Sequence, residues 1–179
     1  MAATLMVLDA ASLFIGDEDP TAAEYLTLKN VKIPALKEKT KEHTGGGATM
    51  SINIGMRVLE ALEFSFKLEG FSHNAMSRFM PSGPARVNYT LRGSYRDLRT
   101  HEELALRAII NGRMISIEPS EFSRGEGIEN DYMISEIMGY QLFLDDREKY
   151  YFDYFAGPTG VRIDGVQPFR TMGRNLGLI

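Results

Sequence analysis

The 179-residue sequence contains no cysteine and no tryptophan. The missing cysteine excludes disulfides, thiolate zinc sites, iron–sulfur clusters and thiol nucleophiles together, so folding has to rest on packing alone. Long hydrophobic runs are missing too: no stretch approaches the roughly 20 apolar residues of a membrane-spanning helix, and no stable membrane association is expected. The opening MAATLMVLDAASLF has no basic residue ahead of its apolar part, as a secretory leader would, which points to a cytosolic protein. Basic charge is also scarce, with 20 Lys and Arg against 24 Asp and Glu, a formal net charge of −4, and the two signs interspersed. A protein that grips nucleic acid by its phosphates would show a basic stripe, and none is present.

Motifs that carry chemistry are equally sparse. His43, His73 and His101 share no metal-ligand spacing and lie among solvent-type residues. Asp145, Asp146 and Glu148 lack the Asp-x-Asp-x-Asp-Gly order of a calcium loop and fit a charged hairpin tip. Ser94 follows a glycine but has no G-x-S-x-G elbow around it. The glycine-rich stretch HTGGGATM at 43–50 lacks the Lys-Ser/Thr that closes a nucleotide P-loop, so it is expected to be a mobile surface loop. No catalytic residue, metal or cofactor is assigned.

What the sequence does contain is strand periodicity. Residues 62–69 alternate strictly, placing Leu62, Phe64, Phe66 and Leu68 on one face. The same period recurs at 87–92 and 104–110. Asn111-Gly112 then reads as a tight turn that would pair 104–110 with 113–118. A second hairpin is expected from 133–144 and 150–155, joined by a turn over 145–149. Between these blocks Ser72 can cap a short helix, with Ala75, Met76 and Phe79 on one side, as a lid over an open end of the core. The expected fold is mainly β: an antiparallel sandwich or barrel with one short α-helix and extended N- and C-terminal arms, in a single domain.

Several segments, taken in order, resemble the major tail tube protein of contractile-tailed bacteriophages and of phage-tail-like particles. They are LTLKNVKIPALKEKTKEHTGGGATM, ALEFSFKLEGF, LRGSYRDLRTHEE, INGRMISIEPSEFSRGEG and the closing GVQPFRTMGRNLGLI. The resemblance implies a structural protein without enzymatic activity, found in the virion tail and assembled in the host cytoplasm. Its subunits would form homohexameric rings whose inner sheets join into a β-lined cylinder. The rings would stack into a tube inside a contractile sheath, a conduit for DNA ejection. Implied partners are further copies of itself, the tail sheath protein, the tape measure protein, the baseplate tube initiator and the tail terminator, with DNA passing non-specifically through the lumen.

On this basis residues 1–24 are an N-terminal extension, 37–50 a mobile inter-ring loop and 157–179 a C-terminal arm. The loop would act through Lys39, Lys41, Glu42, Gly45, Gly46 and Gly47. Glu63, Ser65 and Glu69 are candidates for the lumen lining, because a polar, net acidic wall lets DNA pass without binding it. Arg174, Asn175 and Leu176 at the chain's close are candidates for subunit contacts. Two alternatives stay open: the tube of a genome-free contractile particle of tailocin or type VI kind, or a small β-barrel enzyme or ligand-binding protein. In the latter, Tyr89, Tyr95 and the aromatic block at 150–155 would line a pocket.

Overall fold

Apolar–polar alternation demands strands, and strands dominate. The structure is a computed structural model that describes residues 5–81, 86–121 and 123–178. In chain order its elements are β1 (Met6–Ile15), β2 (Leu28–Lys32), β3 (Glu38–His43), β4 (Ile52–Leu59), β5 (Phe64–Glu69), α1 (His73–Met76), β6 (Arg86–Asp97), β7 (Glu103–Pro119), β8 (Glu129–Leu144), β9 (Arg147–Asp153), β10 (Val161–Ile163) and α2 (Arg170–Asn175). The expectation of a mainly antiparallel β protein is met, with a second short helix in addition to the expected one.

Eight strands form one antiparallel sheet in the order β1-β6-β7-β8-β5-β2, with β9 on β8 and β10 on β9; β3 and β4 pair separately. The sheet folds onto itself because β7 and β8 bend and change neighbours. Their near halves pair beside β6 and β9, their far halves beside β5. The corner sits at Asn111-Gly112, and here the sequence expectation is corrected: the pair is not a turn but lies inside the 17-residue strand β7. Residues 136–138 of β8 bulge opposite Gly112, between the pairs Asn111↔Gly139 and Arg113↔Ser135. A Cβ on Gly112 would meet Ile134 Cγ2 at 2.6 Å and the Ser135 carbonyl oxygen at 3.0 Å, so glycine serves close approach of the two strands. The tight two-residue turn is at Asp145-Asp146, both at positive φ (50° and 57°) as the hairpin geometry requires, which shortens the expected 145–149 turn.

The core lies between the two halves. Phe64 and Phe66 of β5 reach Tyr89 of β6 across it, with ring centroids 6.1 and 6.2 Å apart, and Tyr132 stacks on Phe66 at 4.9 Å. Leu13, Ile15, Leu68, Ala75, Leu91, Leu106, Ala108, Ile110, Met114, Ile134, Tyr140 and Leu142 are buried with them, and Leu62 packs against the margin. The alternation of residues 62–69 therefore points inward as expected.

The ends differ from the expectation. The N-terminal segment is no extension over 6–15: β1 is a sheet strand paired with β6 from Met6 to Ile15. The C-terminal segment folds back, adding β10 to β9 and ending in α2. Helix α1 is a single turn capped by Ser72, whose Oγ accepts from Ala75 N at 3.2 Å. It closes one end of the core, with Asn74 Nδ2 donating to the Ile15 carbonyl at 3.2 Å and Ser72 Oγ donating to Glu24. Of its expected apolar side only Ala75 is buried; Met76 and Phe79 stay exposed because one turn is too short to lay them all on the core.

Candidate assembly interface

The groups that could do chemistry are dispersed. His43, His73 and His101 are exposed on separate elements, and among the described residues no three His, Asp or Glu side chains are placed to hold a metal ion. The aromatic block expected to line a pocket is divided by strand alternation. Tyr150 and Phe152 pack against the core, Tyr151 faces outward under Arg162, and Tyr154 and Phe155 are exposed beyond the end of β9. Burial pushes the Tyr89 and Tyr140 phenols up to about 12, so neither ionises near neutral pH. Tyr95 does line a cleft, but its neighbours there are Leu8, Ala11, Val31, Ile33, Leu91 and Leu106.

What the surface offers instead is unpaired sheet. Strands β3 and β4 form a hairpin that stands apart from the main sheet. The expected 37–50 loop is thus shorter: Lys39, Lys41 and Glu42 lie in β3, and only the tip around Gly45, Gly46 and Gly47 is a turn. Facing them on β4, Ile52, Ile54, Met56 and Val58 make an exposed apolar row. Pairing of Lys41 with Ile54 and of His43 with Ile52 puts those two polar side chains on the apolar side. The sequence reading missed this row, although the alternation in INIGMRV was there to be seen.

The outer faces of the two main-sheet halves differ in kind. On the half built from β2, β5, β8 and the end of β7, Ser65 and Glu69 point away from the core, and Glu63 is exposed just before β5. Lys29 bridges Glu129 at 2.7 Å and Glu69 at 3.3 Å, while Lys67 bridges Asp131 at 3.2 Å and Glu129 at 3.3 Å. Hydrogen bonds from Lys29 and Lys67 hold the Glu129 carboxyl below its ordinary range; Lys29 is raised by its bonds to Glu129 and Glu69, and Lys67 by its bonds to Asp131 first and Glu129 second. With Lys32 and Glu118, this face and its margin carry three lysines against five carboxylates and no aromatic ring. The opposite face carries arginines stacked on rings: Arg92 over Phe14 at 5.9 Å, Arg107 over Phe143 at 4.5 Å and Arg162 over Tyr151 at 3.6 Å.

Residues 9–177 match the sequence profile of the phage tail tube protein FII family. The chain belongs to this family. The tail tube protein of Escherichia phage P2 is 27% identical over 153 residues, spanning 84% of this chain and 87% of that protein. The fold is also similar to the sheath/tube terminator of the PVC extracellular contractile injection system in its extended state. That match has a TM-score of 0.53 at 10% identity and covers 80% of this chain and 99% of the other. The role of a tail tube protein is structural rather than enzymatic, and its place is the tail of phages and phage-like particles.

Within this tail tube chain, the closing RNLGL is a helix ending. Gly177 N donates to the Arg174 carbonyl at 3.0 Å and Leu178 N to the Gly173 carbonyl at 2.9 Å, with Gly177 at φ 70°, the paired bonds of a Schellman cap. The cap leaves Leu176 and Leu178 exposed. Asn175 and Leu176 line a second cleft with Phe169, Met172 and Arg57 at the base of the hairpin, whereas Arg174 is not among its lining residues.

Proposed function

We propose that this chain assembles as homohexameric rings that stack into the inner tube of a contractile tail, a conduit for DNA during ejection. The observation that carries this reading is the half-sheet of β2, β5, β8 and the far end of β7. Among the described residues, β2 pairs only with β5, and β7 beyond Arg113 pairs only with β8. Two free edges in one four-strand unit invite pairing with other copies, and ring closure leaves no edge exposed. β2 and β7 run in opposite directions, so β2 of one copy beside β7 of the next continues the antiparallel alternation around the ring.

The hydrophilic face then lines the lumen. Glu63, Ser65 and Glu69 stand on it, and its excess of carboxylates repels phosphates where a basic wall would hold them. The arginine–aromatic face turns outward to the sheath, in keeping with the enrichment of Arg and aromatic residues at protein interfaces. The hairpin, with Lys39, Lys41, Glu42 and the tip at Gly45, Gly46 and Gly47, reaches the adjacent ring, and Arg174, Asn175 and Leu176 contact a neighbouring subunit. The initiator and terminator cap the tube, and the tape measure protein occupies it before DNA does.

Negative-stain electron microscopy of the purified chain across a concentration series, alone and with its sheath and initiator, tests the proposal. Hollow six-fold rings or tubes are expected. A compact monomer under every one of these conditions overturns it.

A further inference from the structure

On the arginine–aromatic face a guanidinium is held in place without a counter-charge. Around it the cations are neutralised within the chain: Arg92 is paired with Glu18, Arg96 with Asp9 at 2.9 Å and Arg162 with Glu148 at 2.8 Å. Arg107, on β7 between β6 and β8, has no ion-pair partner among the described residues, and its Nε is buried without a hydrogen bond. Register sharpens the cost. Arg92 stands directly opposite Arg107 on β6, and like charges so placed destabilise a sheet. Glu18 answers only one of the two, since Nε and Nη2 of Arg92 both donate to its Oε2. On the other side Phe143 of β8 stands opposite Arg107, whose guanidinium lies 4.5 Å from the ring centroid. Stacking on a ring orients the plane of a guanidinium and leaves its Nη edge to a planar acceptor with two oxygens.

We infer that Arg107, seated on Phe143, is the anchor for an aspartate or glutamate side chain of the sheath protein. The inference rests on the tube reading, in which this face turns to the sheath, and adds to it the residue and the chemistry of the contact. A carboxylate at this position meets the unpaired guanidinium and relieves the repulsion between Arg92 and Arg107, whereas a lysine or arginine from the partner would add a third like charge. In that reading copies of this chain join through β2 and the far end of β7, in the other half-sheet, which leaves Arg107 to a different protein.

The test uses tubes assembled from the chain and its variants with the initiator, and measures the sheath protein that sediments with them as its concentration is raised. Arg107→Ala should raise the sheath concentration for half-maximal decoration by about tenfold or more, and Arg107→Glu should raise it further. Arg124→Glu, the same charge change on the exposed connection between β7 and β8, should leave it unchanged. Arg107→Lys identifies the acceptor, because it keeps the charge and offers an amine. A zero-length carbodiimide should join position 107 to an Asp or Glu of the sheath protein, located by mass spectrometry. Arg107→Glu tubes that take up sheath as the unsubstituted chain does, or an amide from position 107 to a carboxylate of a second copy of this chain, overturn this inference and leave the tube reading intact. A compact monomer under every condition overturns both.

Discussion

Strands β4 and β5 carry the same pattern and meet opposite fates. In β5, Phe64, Phe66 and Leu68 are 0%, 2% and 0% exposed; in β4, Ile52, Ile54, Met56 and Val58 are 51%, 45%, 49% and 53% exposed. Both are apolar at every second position. β5 sits between β2 and β8, under Tyr89 and Tyr132, so its apolar face is covered by its own chain. Among the described residues β4 pairs only with β3, in a two-stranded ribbon outside the main sheet. Alternation states that a face is to be buried; it does not say whose surface buries it. In a tail tube protein, that difference separates the residues that hold the monomer from those available to join monomers.

Substitutions that separate folding from assembly sharpen the contrast, and their effects on the isolated chain fall in order. Phe66→Ala should lower unfolding free energy by about 3–5 kcal/mol in a urea titration, through lost burial and the cavity left behind. Next in size is an alkaline limb. The neutral phenols of Tyr89 and Tyr140 are favoured in the folded chain, whose values are about 12 against 10.0 ordinarily. Stability is therefore complete below pH 10 and falls as pH rises towards 12, by on the order of 2–3 kcal/mol per phenol. Tyr89→Phe should remove part of that limb, and at neutral pH it should cost little, because the Tyr89 hydroxyl has no hydrogen-bond partner among the described residues.

Gly112→Ala should cost about 1–3 kcal/mol, since the added methyl group collides with Ile134 at the corner of β7 and β8. Last comes Ile54→Ser, expected to move the unfolding free energy of the monomer by no more than about 0.5 kcal/mol while ring and tube yield in electron micrographs collapses. An Ile54→Ser monomer as unstable as Phe66→Ala would break the comparison, because β4 would then be part of the monomer's own support.

Much of the fold was legible where local pattern and tertiary demand agree. The buried set of β5 and the Ser72 cap follow from alternation and from a hydroxyl at the start of a turn. The candidate lumen residues Ser65 and Glu69 do share the outer face of one half-sheet, as period two requires, and Glu63 lies at its margin. The row Ile52, Ile54, Met56 and Val58 is just as readable from alternation, although three glycines stand close before it in the chain. The Gly45–Gly47 tip is only the end of a hairpin whose strands present the side chains.

The sequence by itself determined that this chain builds antiparallel strands, which faces of β5 and β6 are buried, and, through the order of its segments, the tail tube family. Only the tertiary structure decided what its glycine signals mean. At Asn111-Gly112 a missing side chain lets two bent strands approach, while the tight turn lies at Asp145-Asp146, where no glycine marks it. The physical reason is that a glycine relieves either a backbone angle or a steric contact, and which of the two is set by residues distant in the chain, here Ile134 and Ser135.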